Sequence, residues 1–233
     1  GAFKRREYIE FSTRLNRTLK KYQRTIDDYI KSIKVQEQAN AFLRQTVEAL
    51  ATAVDANDSY TNGHSNRVAK YSRMIAENYG MTEKECDDVY LAGLLHDVGK
   101  IGIDNSIINK KGKLTDEEFA EIKLHPGLGG QILSKIVMSP SLSIGAHYHH
   151  ERYDGRGYPE KLKGDDIPLI ARIIAVADAY DAMTSVRSYR DMIPQMHVRE
   201  ELIKGIGTQF DPDIVAVLKK IQRQFNKFSV EVK

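Results

Sequence analysis

Apolar residues at Leu15, Leu19, Tyr22, Ile26, Tyr29 and Ile33 alternate four and three apart, and the same seam continues through Gln36, Asn40, Leu43, Val47, Leu50 and Val54. This is the heptad pattern of a coiled coil, in which two polar seam residues lower stability while fixing register and favouring a parallel pair. No proline or glycine interrupts the stretch between Ala2 and Gly63, so one long helix is expected to run straight into the unit that follows. Packing on its own domain is the alternative. Heptads sustained this long favour an intermolecular coiled coil and a parallel homodimer.

Beyond residue 55 no period-two strand pattern emerges and the punctuation is helical. Thr82 with Glu85 and Thr115 with Glu118 have capping-box spacing, where hydroxyl and carboxylate reciprocally satisfy unpaired amides at a helix start. Asp211 before Pro212 reads as an N-cap followed by proline at the first helical position, and Gly80 and Gly207 are expected to close helices. Arg152 to Asp166, with Gly155, Gly157, Pro159 and Gly164, is the main structured loop. Phe228 to Val232 is expected as a short strand or a frayed end. The expected architecture is all-α, with a coiled-coil helix over residues 1–54 and a helical domain over residues 55–233.

Composition narrows the function classes. At 233 residues the chain can bury a real core, and no apolar run is long enough to cross a bilayer. The formal charge of +3 arises from 35 basic and 32 acidic residues without long single-sign blocks, a weak footprint for nucleic acid. The single cysteine, Cys86, suits a reducing cytosol and argues against a thiolate metal site. Any metal would therefore use nitrogen and oxygen ligands. The chain opens on Gly1 inside a helical pattern, without a secretory signal, and reads as a cytoplasmic fragment of a longer sensor protein.

Candidate chemistry lies where polar residues interrupt apolar faces. His96 and Asp97 end the pattern Leu91, Leu94, Leu95 at the margin of a core-facing surface, where an ionised carboxylate costs several kcal/mol unless paired or bound to metal. A buried ion pair or a helix end explains that dipeptide alone equally well. Asp178 shares a helical face with Ile174 and Asp181 in the apolar run from Ile167 to Met183, and two inward carboxylates on one stripe call for a cation. His149 and His150, preceded by His147, add neutral nitrogen ligands just before the glycine-rich loop.

The strings His96-Asp97-Val98-Gly99-Lys100, His149-His150-Glu151-Arg152, Asp154-Gly155-Arg156-Gly157-Tyr158-Pro159 and Arg187-Ser188-Tyr189-Arg190 resemble the HD-GYP family of bacterial cyclic di-GMP phosphodiesterases. The resemblance spans residues 50 to 220 and implies an HD-type helical bundle. It also implies a ligand set. One metal would be held by His64 of the Tyr60-Thr61-Asn62-Gly63-His64 segment, by His96 and Asp97, and by Asp178. The second would share the bridging Asp97 and take His125 of the His-Pro-x-x-Gly motif, with His149 and His150. Some family members hold a third metal with a glutamate four residues before the first histidine, and Tyr60 stands there in this chain. Two metals are therefore expected, iron or manganese first, with zinc and nickel as alternatives.

Two metals about 3.5 to 4 Å apart can bridge a water as hydroxide and orient it for in-line attack at phosphorus. Lys100 would donate to a phosphate oxygen or to that hydroxide, or else serve as an ordinary helix-end lysine. Arg187 and Arg190 would grip the substrate phosphates, with a salt bridge to Asp181 as the alternative. Tyr158 would stack on a guanine or anchor its loop; the sequence leaves both open. Asp181 and Glu151 are expected just outside the ligand shell, and His147 and His197 outside the site. The implied activity is hydrolysis of cyclic di-GMP to the linear dinucleotide pGpG and on to GMP. The competing readings are a weakly active dinucleotide sensor or docking module, a hydrolase of 3',3'-cyclic GMP-AMP, and a hydrolase of another phosphate ester. An upstream sensor domain and a diguanylate cyclase are the expected partners.

Overall fold

A computed structural model describes the backbone of residues 2–57, 63–136, 139–185 and 195–231, and the side chains of these residues except 2, 195–196 and 222–231. Tyr60, Arg187 and Arg190, and with them the third-metal and phosphate-clamp expectations, lie outside the described residues.

The uninterrupted opening of the sequence becomes one helix, α1 (Ala2–Asn57). Compact packing divides the chain into residues 1–46 and 47–233. Along the first unit the heptad seam stays open: Tyr22, Ile26 and Tyr29 are 64%, 52% and 67% exposed. The last turns of α1 behave differently, because Val47, Ala51 and Val54 are buried in the hydrophobic core of the second unit.

That unit is built from α2 (His64–Tyr79), α3 (Glu83–Leu95), α4 (Asn105–Ile108), α5 (Asp116–Ile122), α6 (His125–Leu133), α7 (Pro140–Tyr148), α8 (Leu169–Thr184), α9 (Gln195–Lys204) and α10 (Pro212–Glu231). Both expected capping boxes form, with the Thr82 and Thr115 hydroxyls accepting from the Glu85 and Glu118 amides and each carboxylate returning to its threonine amide. Gly80 closes α2 in the left-handed conformation, φ 99°. Asp211 caps α10 by accepting from the Asp213 amide at 2.7 Å. Gly207 instead turns the chain after α9 has ended at Lys204.

The apolar helix α8 lies at the centre: Ala171, Ile173, Ile174, Val176, Ala177 and Tyr180 are all buried. Tyr180 meets Tyr71 of α2 edge to face, centroids 5.2 Å apart. No strand forms among the described residues. The segment Phe228–Glu231, expected as a strand or frayed end, continues α10, since extending a formed helix fixes one residue per new hydrogen bond and needs no fresh nucleus. No helix among the described residues is long and apolar enough to cross a membrane.

Candidate metal centre

Helix ends place most of the chemistry. His64 opens α2, His96 and Asp97 follow the last turn of α3, His125 opens α6, and His149 and His150 follow α7. Asp178 comes from the middle of α8 and projects from the same helix as the buried Asp181. These residues gather into two groups, Asp97 with His125, His149 and His150, and His64 with His96 and Asp178, the candidate ligand atoms of each group lying within 4.8 Å of one another. The seven residues singled out from the sequence as candidate ligands are thus brought together.

Three imidazoles are oriented by the same local device. His96, His125 and His149 each point Nδ1 at the carbonyl three residues earlier, on Gly93, Ile122 and Ala146, at 2.7, 2.7 and 2.8 Å. A carbonyl only accepts, so Nδ1 carries the proton and Nε2 is left as a bare lone pair. The consequences are visible in the cluster. Nε2 of His96 is buried without a hydrogen-bond partner among the described residues, and Nε2 of His125 and His149 face each other at 3.4 Å, two acceptors with no proton between them. An electron-deficient centre resolves both features. Nitrogen and carboxylate donors in this number fit a divalent transition ion rather than calcium or magnesium, which prefer all-oxygen shells. The residues present therefore fit metal.

Asp97 divides its two oxygens between the groups. Oδ1 lies 3.2 Å from His125 Nε2 and 3.7 Å from His149 Nε2, whereas Oδ2 lies 3.5 Å from His96 Nε2 and 3.9 Å from His64 Nε2. Lys100 brings its ammonium to 2.7 Å from Oδ2. Burial works against the Asp97 charge, but the Lys100 ammonium, foremost among the groups around it, holds its carboxyl well below the usual range. Burial drives His96 the other way, down to about 4, so it is neutral near pH 7. His150 is depressed by burial and by the neighbouring His149 and His125.

His64 is the exception. Its Nδ1 meets Asp181 at 2.7 Å and its Nε2 meets Asp178 at 3.3 Å. Burial lowers its proton affinity, yet the two carboxylates override this and raise its pKa to about 10. Asp181 does more than the sequence suggested, since Arg67 of α2 grips it with Nε at 2.7 Å and Nη2 at 3.1 Å. Arg67 escaped sequence reasoning, although its position one turn after His64 was the available signal. Asp55, whose carboxylate bonds Ser65, escaped too, because the partners lie on different helices.

The glycine-rich loop folds over the second group. Gly157 lies so close to the backbone of His150, Glu151 and Arg152 that any Cβ there would collide with it. Tyr158 stacks on His150, ring centroids 4.8 Å apart, and the Lys123 ammonium sits 5.7 Å from its ring centre. One face of Tyr158 thus supports His150, the loop-anchor alternative. Glu151 accepts from the Glu160 amide at 2.7 Å, tying the far side of the loop. His147 pairs with Glu160 at 3.3 Å, away from both groups, and His197 is exposed. A cavity of about 350 Å³ opens beside His149, His150 and Asp178 towards Met183, Gln209 and Phe210.

An all-helical domain whose helix ends converge a histidine and aspartate cluster able to hold metals defines the class. The HD domain family matches residues 48–214, and the chain belongs to it. The family recognised from the motifs is the one the comparisons return. The chain is 38% identical over 218 residues, 91% of its length, to the 3'3'-cGAMP-specific phosphodiesterase 2 of Vibrio cholerae, of which it covers 42%. It is 40% identical over 186 residues to the cyclic di-GMP phosphodiesterase of Thermotoga maritima, covering 78% of this chain and 50% of that one. Among solved structures, a cyclic GMP-AMP specific phosphodiesterase of V. cholerae superposes with a TM-score of 0.60 at 20% identity, over 77% of this chain and 49% of that one, a likeness of fold. The chain spans half the length of these curated relatives or less.

Proposed function

We propose that this chain is the catalytic part of a cyclic-dinucleotide phosphodiesterase that hydrolyses cyclic di-GMP to pGpG and on to GMP. The observation that carries the reading is the divided carboxylate of Asp97, with two imidazoles facing each oxygen. In this reading His64, His96, Asp97 and Asp178 hold one divalent ion and Asp97, His125, His149 and His150 the other, with iron or manganese the preferred metals. Two such ions, when bound, supply Lewis-acid activation of water and neutralise charge on a phosphate diester.

The chain's own residues do the rest. The Nδ1 bonds hold three imidazoles in the ligating tautomer. Asp181, gripped by Arg67, orients His64 and keeps its second nitrogen aimed inward. Lys100 balances Asp97 and is proposed to donate to a phosphate oxygen beside it. The adjoining cavity gives a nucleotide room beside both groups, and Arg187 and Arg190 are proposed as its phosphate clamps. Tyr158 is assigned to holding His150, with its free edge available to a base.

The names of the relatives favour one further reading, hydrolysis of 3',3'-cyclic GMP-AMP, since two of them at 38% and 39% identity carry that specificity. The deciding experiment compares turnover of cyclic di-GMP and 3',3'-cyclic GMP-AMP by protein reconstituted separately with iron, manganese and zinc, resolving linear dinucleotide from mononucleotide. The proposal expects turnover of cyclic di-GMP with at least one metal. No turnover of either substrate with any metal would sink the enzyme reading.

A further inference from the structure

The first turn of α2 begins without a cap of its own. Its N-cap is Gly63, which forms no side-chain cap bond, so the amides of that turn need acceptors from elsewhere. The preceding helix supplies one. Asp55, in the last turn of α1, accepts from the Ser65 amide through Oδ2 at 3.3 Å and from the Ser65 hydroxyl through Oδ1 at 2.6 Å. Both residues are buried, Asp55 at 9% and Ser65 at 1% exposure, and α1 is fixed here by Val47, Ala51 and Val54 in the core. Ser65 is the chain neighbour of His64, and Arg67 in the same turn holds the carboxylate that holds His64.

From this we infer that Asp55 is a positioning residue for His64. Its carboxylate, carried on α1, sets the rotation and height of the first turn of α2, and so the reach of His64 Nε2 towards His96 and Asp178. The two hydrogen bonds described for Asp55 go to Ser65 rather than to a candidate ligand. The inference rests on the metal-centre reading above, and it makes a claim that helix capping alone does not. A cap that only stabilised α2 would lower the melting temperature without distinguishing the two groups; a positioning carboxylate acts on the His64 group selectively.

The test uses the full chain carrying Asp55→Ala, Asp55→Asn or Ser65→Ala. Metal-stripped protein is titrated with manganese by calorimetry, and its imidazole resonances are recorded before metal is added. Asp55→Ala is expected to weaken one of the two ions by about 10- to 100-fold, the range typical of outer-shell changes, and to leave the other unchanged. Asp55→Asn, which keeps one acceptor oxygen, is expected to lose less. In the metal-free spectra the His64 ring resonances should move while those of His125 and His149 stay. Equal weakening of both ions, or unchanged affinities with an unmoved His64 signal, would overturn the inference. Should the wild-type chain take up no ion, the metal reading falls and the imidazole spectra alone decide the role of Asp55. If Asp55→Ala does not fold, Ser65→Ala, which removes only the hydroxyl bond, serves for the same comparison.

Discussion

A carboxylate with imidazoles on both oxygens has no substitute among the other side chains near it. Asp97→Asn retains the shape but presents an amide nitrogen to one side. Metal analysis of this variant is expected to show at most one ion per chain, with hydrolysis lowered by more than the roughly 10- to 100-fold typical of outer-shell changes. Two ions retained in the variant would show that Asp97 does not bridge. At this scale the candidate ligand set was legible through the resemblance of its short motifs to a known family, because each motif keeps its residues adjacent along the chain. What escaped was each pair whose partners meet only in the fold: Asp55 with Ser65, Arg67 with Asp181, and Tyr158 with His150.

Among the elements, the glycine-rich loop owes its position to a backbone approach that only glycine permits. Gly157→Ala would force its methyl into the backbone of His150 to Arg152, lifting Tyr158 off His150. Overpacking of this kind costs about 1–3 kcal/mol, measurable as a lower urea midpoint at unchanged m-value, and turnover should fall with it. Wild-type stability together with wild-type turnover would show that the loop tolerates the methyl. The helices themselves were more legible than this loop. Both capping boxes and the Asp211 cap formed because their partners are three residues apart or fewer. The misread tail shows the opposite case. Phe228 to Val232 was expected as a short strand or a frayed end, but the segment through Glu231 follows a helix whose Ile214, Val215, Leu218 and Ile221 are already committed to the core.

Taken as a whole, the molecule leaves a seam of tyrosines and isoleucines on α1 without intramolecular cover, which fits the proposed parallel dimer. Light scattering should give twice the chain mass, and Tyr22→Asp combined with Ile26→Asp should return a single chain with turnover per chain intact or reduced. A monomeric wild-type chain at high concentration would remove the coiled coil from the account. The Nδ1 anchors of His96, His125 and His149 have a different consequence. Each uses a carbonyl three residues earlier in the chain, so ring direction and proton placement are settled as soon as that local segment forms, independently of the other ligands. Folding then only has to bring pre-aimed groups together. The conformational entropy of the ligands is lost during folding rather than on encounter with an ion, which makes capture a matter of desolvation and proton release from His64 more than of rearrangement.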